Sequence, residues 1–442
     1  MSYVQEVITN LNKKYSQQPE FIQAVSEVLL SLESTIKQDE NFYRKHRVLE
    51  RLIVPERIIE FKVTWIDDNQ NIQVNTGYRI QHSSVLGPYK GGLRFHANVN
   101  QSVLKFLAFE QTFKNALTGL PLGGAKGGSD FDPKDKSDTE IMNFCQHYMS
   151  ELYKYIGPNI DIPAGDIGVG AKEIGYLFGH YKKLTNRFEG VLTSKGLSYG
   201  GSLGRTEATG YGVIYMLEEV LKQKNDKIEN KVIGVSGSGN VAIHAIEKAL
   251  ELRAKVVTAS DSNGWILDND GIDLGILKEI KLKKRQRLSE YVNHKPSALY
   301  FSNNDLWKTP VDVFIPCATQ NEVTLDDAID MVTNKVKLVI EGANMPLTNE
   351  AVGYLQSHGV VYVPGKASNS GGVLVSGYEM SQNASKITWS FEEVDSKLRE
   401  KMIEMVKDMN RVMDPEYPNN YLKAANVLGF KKLAEALISQ GV

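Results

Sequence analysis

Apolar residues in the first fifty positions recur at helical spacing: Val4, Ile8 and Leu11, then Phe21, Val25, Leu29 and Leu32. Gaps of three and four place them on one stripe, so helices are expected here. The period then shortens. Ile59, Phe61, Val63 and Trp65 alternate with polar residues, which predicts a half-buried strand. The turn Asp67-Asp68-Asn69-Gln70 and a second run from Ile72 to Ile80 complete a hairpin. A helix is expected over 101–117. Ser137-Asp138-Thr139-Glu140 forms a capping box, in which hydroxyl and carboxylate each satisfy a helix-start N–H, and opens a helix running to about residue 156.

Beyond the glycine-rich stretch 199–212 the pattern changes again. Short apolar runs at 231–236, 255–260, 311–316, 336–341 and 360–364 are separated by helical text such as 240–252. Such alternation predicts a parallel sheet covered on both faces. The expected fold class is therefore α/β with two domains, residues 1–200 and 201–424. A C-terminal helix over about 425–442 is expected to pack back on the first domain. A chain of 442 residues is long enough for two cores.

Composition narrows the function classes. With 42% hydrophobic and 24% charged residues the chain reads as globular, and a formal charge of −2 favours neither nucleic acid nor membrane as a partner. No apolar run approaches the roughly 20 residues of a membrane helix, and the N-terminus lacks a secretory pattern, so a cytoplasmic protein is expected. Cys145 and Cys317 are the only cysteines; two lone thiols predict neither a disulfide frame nor a zinc site.

Residues 231–264 read as strand, glycine turn, helix, strand. Gly237-x-Gly239-x-x-Ala242 fits the dinucleotide fingerprint: Gly237 for the tight turn, Gly239 for close approach of a pyrophosphate, Ala242 for helix–strand contact. Asp261 ends the second strand and suits the free ribose hydroxyl of NAD. Ser262, Lys134, Lys136 and the basic run 281–287 suit the 2′-phosphate of NADP, and spacing alone leaves both open. The basic run reads equally well as a solvated face.

Three lysines stand in unusual text: Lys90 in "LGPYKGGLRFH", Lys114 in "AFEQTFKNALTGLP" and Lys126 in "LPLGGAKGGSD". Gly127, not Ser or Thr, follows Lys126, which excludes a nucleotide phosphate loop. Lys90 and Lys126 are expected in glycine loops, Lys114 on a helix. Grouped cations would select an anionic substrate with more than one carboxylate and would lower the pKa of one member.

These motifs, with "DIPAGDIGVGAKEIGY", "RTEATGYG", "GSGNVA", "PCATQNE", "EGANMP" and "KASNSGGVLVSGYEMSQN", resemble the hexameric glutamate dehydrogenases in order and over nearly the whole chain. The resemblance is to short microbial members and implies an N-terminal domain with a mixed sheet, a doubly wound dinucleotide domain and a cleft between them. It implies Lys126 as catalytic lysine and Asp166 as its acidic partner. Lys90 and Ser376 would hold the distal carboxylate of the substrate, Lys114 and Gln111 its α-carboxylate. Gly91, Ala164, Arg205, Asn369 and Val373 would complete the pocket. Thr209, Ser238, Asn240, Val241, Ala318, Thr319 and Asn344 would join Gly237 and Gly239 at the coenzyme. NADP is preferred over NAD through Ser260, Ser262 and Lys134, beside Asp261. The implied reaction is reversible conversion of glutamate to 2-oxoglutarate and ammonia by a homohexamer. Thr206 departs from the usual proline of "RPEATG". Branched-chain or aromatic amino acid dehydrogenases carry an apolar residue at the position of Lys90, which argues against them; a non-catalytic ligand sensor on the same fold is the other alternative.

Overall fold

The structure, a computed structural model, describes residues 1–441. The chain forms two compact units: residues 1–203 with 375–391 and the segment from Asn426 onward, and residues 204–374 with 392–425. The segment 375–391, which the sequence pattern assigns to the second domain, groups with the first unit.

The first unit is built on a five-stranded mixed sheet. Its strands are β1 (Arg57–Ile66), β2 (Ile72–Ser83), β3 (Tyr89–Phe95), β4 (Gly124–Ser129) and β5 (Asp161–Gly165), in the order β1-β2-β4-β3-β5. β1 and β2 form the expected hairpin, with Ile66 opposite Ile72. Asp67 closes the turn by accepting the N–H groups of Asn69 at 2.9 Å and Asn71 at 2.8 Å. β3 runs parallel to β4 and β5, so two helical crossovers are needed, Gln101–Leu117 and Asp138–Leu152. The second starts at the Ser137–Glu140 capping box and ends at Leu152, followed by a 3₁₀ turn to Tyr155. Its Phe144 stacks on Phe131 at 3.8 Å in the core beneath the sheet. The C-terminal helix Tyr421–Gln440 packs on this unit through Asn426 to Ser31, at 2.8 Å, and Gln440 to the Val85 carbonyl, at 2.7 Å.

Lys90 and Lys126 do not lie in glycine loops. Each sits on a strand, β3 and β4. Glycine has poor strand propensity, which hid these strands in the sequence. Its purpose here is close backbone approach. A methyl group on Gly91 would lie 1.7 Å from the Ala125 carbonyl oxygen, and one on Gly124 would lie 2.0 Å from Thr112 Oγ1.

The second unit holds a five-stranded parallel sheet. Its strands are β6 (Val232–Val235), β7 (Lys255–Val256), β11 (Val313–Ile315), β12 (Leu338–Ile340) and β13 (Val361–Val363), in the order β13-β12-β11-β6-β7. The run 255–260 is not one strand. It leaves the sheet after Val256 and resumes as β8 (Thr258–Asp261), which joins β9 (Gly264–Leu267) and β10 (Leu299–Phe301) in a small antiparallel sheet. Chain order reverses between β6 and β11, so the crevice beyond their carboxyl ends is the expected ligand position. Among the described residues no helix is long and apolar enough to cross a membrane, no acidic, histidine and cysteine cluster could hold a metal ion, and the cysteines Cys145 and Cys317 are free and buried.

Candidate active site

Lys126 is buried, with 7% of its surface exposed. Its Nζ lies 3.0 Å from Asp166 Oδ2, just beyond the end of β5. Arg94 Nε donates to the same oxygen at 2.9 Å. β3 alternates Lys90, Gly92 and Arg94 with Gly91 and Leu93, so both cations occupy one strand face. Gly92 makes room for the acid: a methyl there would lie 2.8 Å from Asp166 Cβ.

Charge and burial compete at this pair. Burial lowers the Lys126 pKa and is the largest effect; Asp166 opposes it, while Arg94 and Arg79 push it further down, and the outcome is a lowered value. For Asp166 burial acts to raise the pKa, but Lys126 and Arg94 overcome it and hold the carboxyl below its usual range. The amine therefore gives up its proton more readily than an ordinary lysine while the acid stays ionised.

Lys90 is 2% exposed, and its Nζ donates to Thr193 Oγ1 at 2.7 Å. Asn115 Nδ2 donates to the Lys90 carbonyl at 3.0 Å, and Gln111 Nε2 to Asn115 Oδ1 at 2.7 Å, which ties the helix Gln101–Leu117 to β3. Lys114 lies half-buried in the last turn of that helix. Ala164 pairs with Gly92 across β5 and β3. Gly91 is held through its carbonyl by Arg79 Nη1 at 3.1 Å, and Arg79 forms a fully buried ion pair with Asp161. Ser376 is buried in the same unit on the helix Gly371–Ser385. Sequence reasoning missed Thr193, Arg94, Asn115 and the Arg79–Asp161 pair. Arg94 alone carried a signal, since period two puts it on the Lys90 face.

In the second unit the glycine turn fits a dinucleotide. Gly237 has φ +80°, and a methyl on it would lie 3.2 Å from Ala318 Cα, whereas one on Gly239 would meet nothing within 4 Å, leaving the loop open above the helix Asn240–Glu251. That helix offers its N-terminal N–H groups to a phosphate. Glu322 braces the same place. It accepts from Ser236 Oγ and the Ala318 N–H, both at 2.9 Å, and burial pushes its carboxyl up to about 7. Ser238 is buried in the turn, Val241 half-buried at the helix start, and Thr319 exposed. Asn240 Nδ2 donates to the Thr206 carbonyl at 2.6 Å, so threonine in place of proline leaves that anchor intact. Arg205 and Thr209 both flank Gly372, beside Val373, and Asn369 Nδ2 donates to Asn344 Oδ1 at 2.8 Å.

Ser260 and Ser262 have different surroundings. Ser260 Oγ accepts the Gly237 N–H at 2.7 Å and so closes the glycine turn. Ser262 is exposed and accepts from Arg287 Nη1 at 2.8 Å. Asp261 Oδ2 accepts the Leu288 N–H at 2.9 Å and the Lys281 ammonium at 3.2 Å. Burial would raise its pKa, but the N–H groups of Leu288 and Asn263 and the Lys281 charge lower it. The basic run is thus not merely a solvated face. Lys134 is exposed on the first unit.

A doubly wound dinucleotide fold and a buried lysine–aspartate pair define the class as a dinucleotide-dependent dehydrogenase. The chain belongs to the Glu/Leu/Phe/Val dehydrogenase family. The Glutamate/Leucine/Phenylalanine/Valine dehydrogenase model matches residues 200–441, and the family's dimerisation-domain model matches residues 55–183. An NADP-specific glutamate dehydrogenase of Helicobacter pylori is 56% identical over the full length of both chains. An NAD-specific glutamate dehydrogenase of Clostridium symbiosum is 49% identical over 100% of this chain and 99% of its own. The crystal structure of Plasmodium falciparum glutamate dehydrogenase superposes with a TM-score of 0.96 at 48% identity, covering 99% of this chain and 94% of that one.

Proposed function

We propose that this chain is a glutamate dehydrogenase that reversibly aminates 2-oxoglutarate with ammonia and NADPH. The observation that carries the reading is the buried Lys126–Asp166 contact, 3.0 Å long, in a sheet that also buries Lys90. Lys90 and Ser376 bind the distal carboxylate, and Lys114 and Gln111 the α-carboxylate. Gly91, Ala164, Arg205, Asn369 and Val373 line the remainder. Lys126 protonates the substrate oxygen as ammonia adds to the carbonyl carbon and, once reprotonated, the hydroxyl that leaves as water when the carbinolamine becomes the imine. Asp166, ionised at rest, takes up in passing the proton that the entering ammonium sheds and hands it on as the carbinolamine loses water. NADPH, when bound, supplies the two electrons that reduce the resulting imine carbon.

The fingerprint Gly237, Ser238, Gly239, Asn240 and Val241 would hold the pyrophosphate, and Thr209, Ala318, Thr319 and Asn344 would complete the coenzyme site. Ser262 and Arg287 meet the 2′-phosphate. Asp261, which on its own favours NAD, already accepts the Lys281 ammonium and the Leu288 N–H on Oδ2 and the Asn263 N–H on Oδ1, which competes with a ribose hydroxyl. Lys134 remains a further candidate for the phosphate. Arg287→Ala is expected to weaken NADPH by about 10- to 100-fold, the range of a lost charge-assisted hydrogen bond, and NADH much less. Coenzyme titrations by nicotinamide fluorescence check it, and equal losses would move the phosphate elsewhere.

Arg94 has a separate signature. Arg94→Met removes a cation that lowers the Lys126 pKa, so the amine should hold its proton to higher pH. The limb of the pH profile for glutamate oxidation that rises as Lys126 loses its proton is expected to shift upward. An unmoved limb would separate Arg94 from the proton exchange.

Self-association to a hexamer and a cytoplasmic setting complete the reading. β1 is an edge strand, and Ile58, Ile66, Ile72 and Val74 of the hairpin are 41–71% exposed, a surface that suits burial by another copy. Initial rates with 2-oxoglutarate and ammonia, NADPH against NADH, test the function as a whole. Faster turnover with NADPH is expected; no turnover with either would overturn the reading.

A further inference from the structure

We propose that the buried ion pair Lys195–Glu379 is a specificity-determining positioning device, which holds the loop that presents Thr193 to Lys90. The inference rests on the proposed function, since it concerns the carboxylate that Lys90 would bind.

Lys195 Nζ lies 2.8 Å from Glu379 Oε1, and the two side chains are 1% and 0% exposed. The carboxylate does more than neutralise the amine. It accepts the Ser194 N–H at 2.9 Å and the Lys195 N–H at 3.3 Å, and Lys195 Nζ also donates to the Leu192 carbonyl. Three backbone groups within residues 192–195 therefore converge on one pair. Thr193 sits in their midst, fully buried, with its N–H on the Pro163 carbonyl at 3.0 Å and its hydroxyl on Lys90. Ser194 has φ +70°, a conformation a non-glycine residue rarely holds unless its surroundings impose it. An apolar pair of equal volume would fill the space, and burial of charge is not in itself stabilising. Such an apolar pair could not accept the two successive N–H groups that pin this bend, one on each oxygen of Glu379. Glu379 also follows Ser376 by one turn of the same helix, so one docking contact fixes the Thr193 loop against the segment bearing Ser376. Asn383 extends the contact to the Gly200 carbonyl at 2.7 Å, and Gln382 to Ser202 Oγ at 2.8 Å. Among the described residues neither Lys195 nor Glu379 forms an ion pair or hydrogen bond with Lys126 or Asp166. Their effect should appear where the distal carboxylate binds.

The test compares 2-oxoglutarate with 2-oxopentanoate, which has the same chain length and no distal carboxylate, each with ammonia and NADPH. Glu379→Gln keeps the side-chain shape and removes the charge. It is expected to lower kcat/KM for 2-oxoglutarate by about tenfold or more, through KM, and to leave 2-oxopentanoate within about twofold. The double variant Lys195→Met with Glu379→Leu leaves no lone buried charge and should show the same selective loss. Equal losses on both substrates, unchanged selectivity, or failure of both variants to fold would make the pair purely structural and overturn the proposal. A wild-type protein that does not aminate 2-oxoglutarate would instead overturn the function on which the proposal rests.

Discussion

Replacing Lys126 by alanine is expected to lower ammonia-dependent NADPH oxidation by roughly a hundred- to ten-thousand-fold, the span that one positioned proton donor or acceptor commonly contributes. Coenzyme binding should hardly change, because the fingerprint turn belongs to the other unit of the chain. The fold should survive. β4 is held by backbone pairing to β2 and β3, and Asp166 keeps Arg94 at 2.9 Å as a counter-charge. Lys126→Arg makes the test sharper. Arginine keeps the positive charge beside Asp166 but cannot release its proton at any usable pH. A lysine that served only as a cation would be replaced with modest loss. A lysine that exchanges protons would not, and Lys126→Arg should be nearly as inactive as Lys126→Ala. Steady-state rates with coenzyme binding measured in parallel decide between the two.

Lys90→Leu should change substrate choice more than rate. Its ammonium is buried against Thr193, so after the substitution a distal carboxylate would enter a site that has lost its charge. Leaving one member of a buried, hydrogen-bonded charge pair alone costs about 2–5 kcal/mol, which places the loss for 2-oxoglutarate between roughly thirtyfold and a few thousandfold. An oxo acid with an apolar tail loses nothing by the change and should gain. Strand position is not at risk, because Asn115 holds the Lys90 carbonyl and not its side chain. The ratio of kcat/KM for 2-oxoglutarate to that for 2-oxohexanoate, before and after substitution, measures the effect.

How far the sequence exposed this arrangement differs by region. Where side chains follow a clear period the reading was direct. The hairpin 57–83, the capped helix from Asp138 and the fingerprint unit from β6 through its helix all declare themselves by alternation, capping or glycine spacing. The strands that carry Lys90, Lys126 and Ala164 did not. They are short, glycine-rich and buried on both faces, so neither alternation nor propensity marked them. Their glycines answer to neighbouring backbone, which only the assembled sheet reveals. The division of 255–260 into β7 and β8 was hidden likewise, since one apolar run serves two sheets. At the site, the resemblance supplied the pairing of Lys126 with Asp166, forty residues apart, which no local spacing implies. It did not supply Thr193 or Arg94, whose importance comes from contacts across 103 and 72 positions. Arg287 stood in a run that reads just as well as solvated surface until its contact with Ser262 is seen.

The central claim is that buried ammonium groups, and not an apolar pocket, select the substrate among the acids this family handles. Ammonia-dependent NADPH oxidation should therefore be compared for 2-oxoglutarate and for the oxo acids of leucine, valine and phenylalanine. The account predicts a kcat/KM for 2-oxoglutarate at least about thirtyfold above the others. Preference for any of the apolar oxo acids would contradict it.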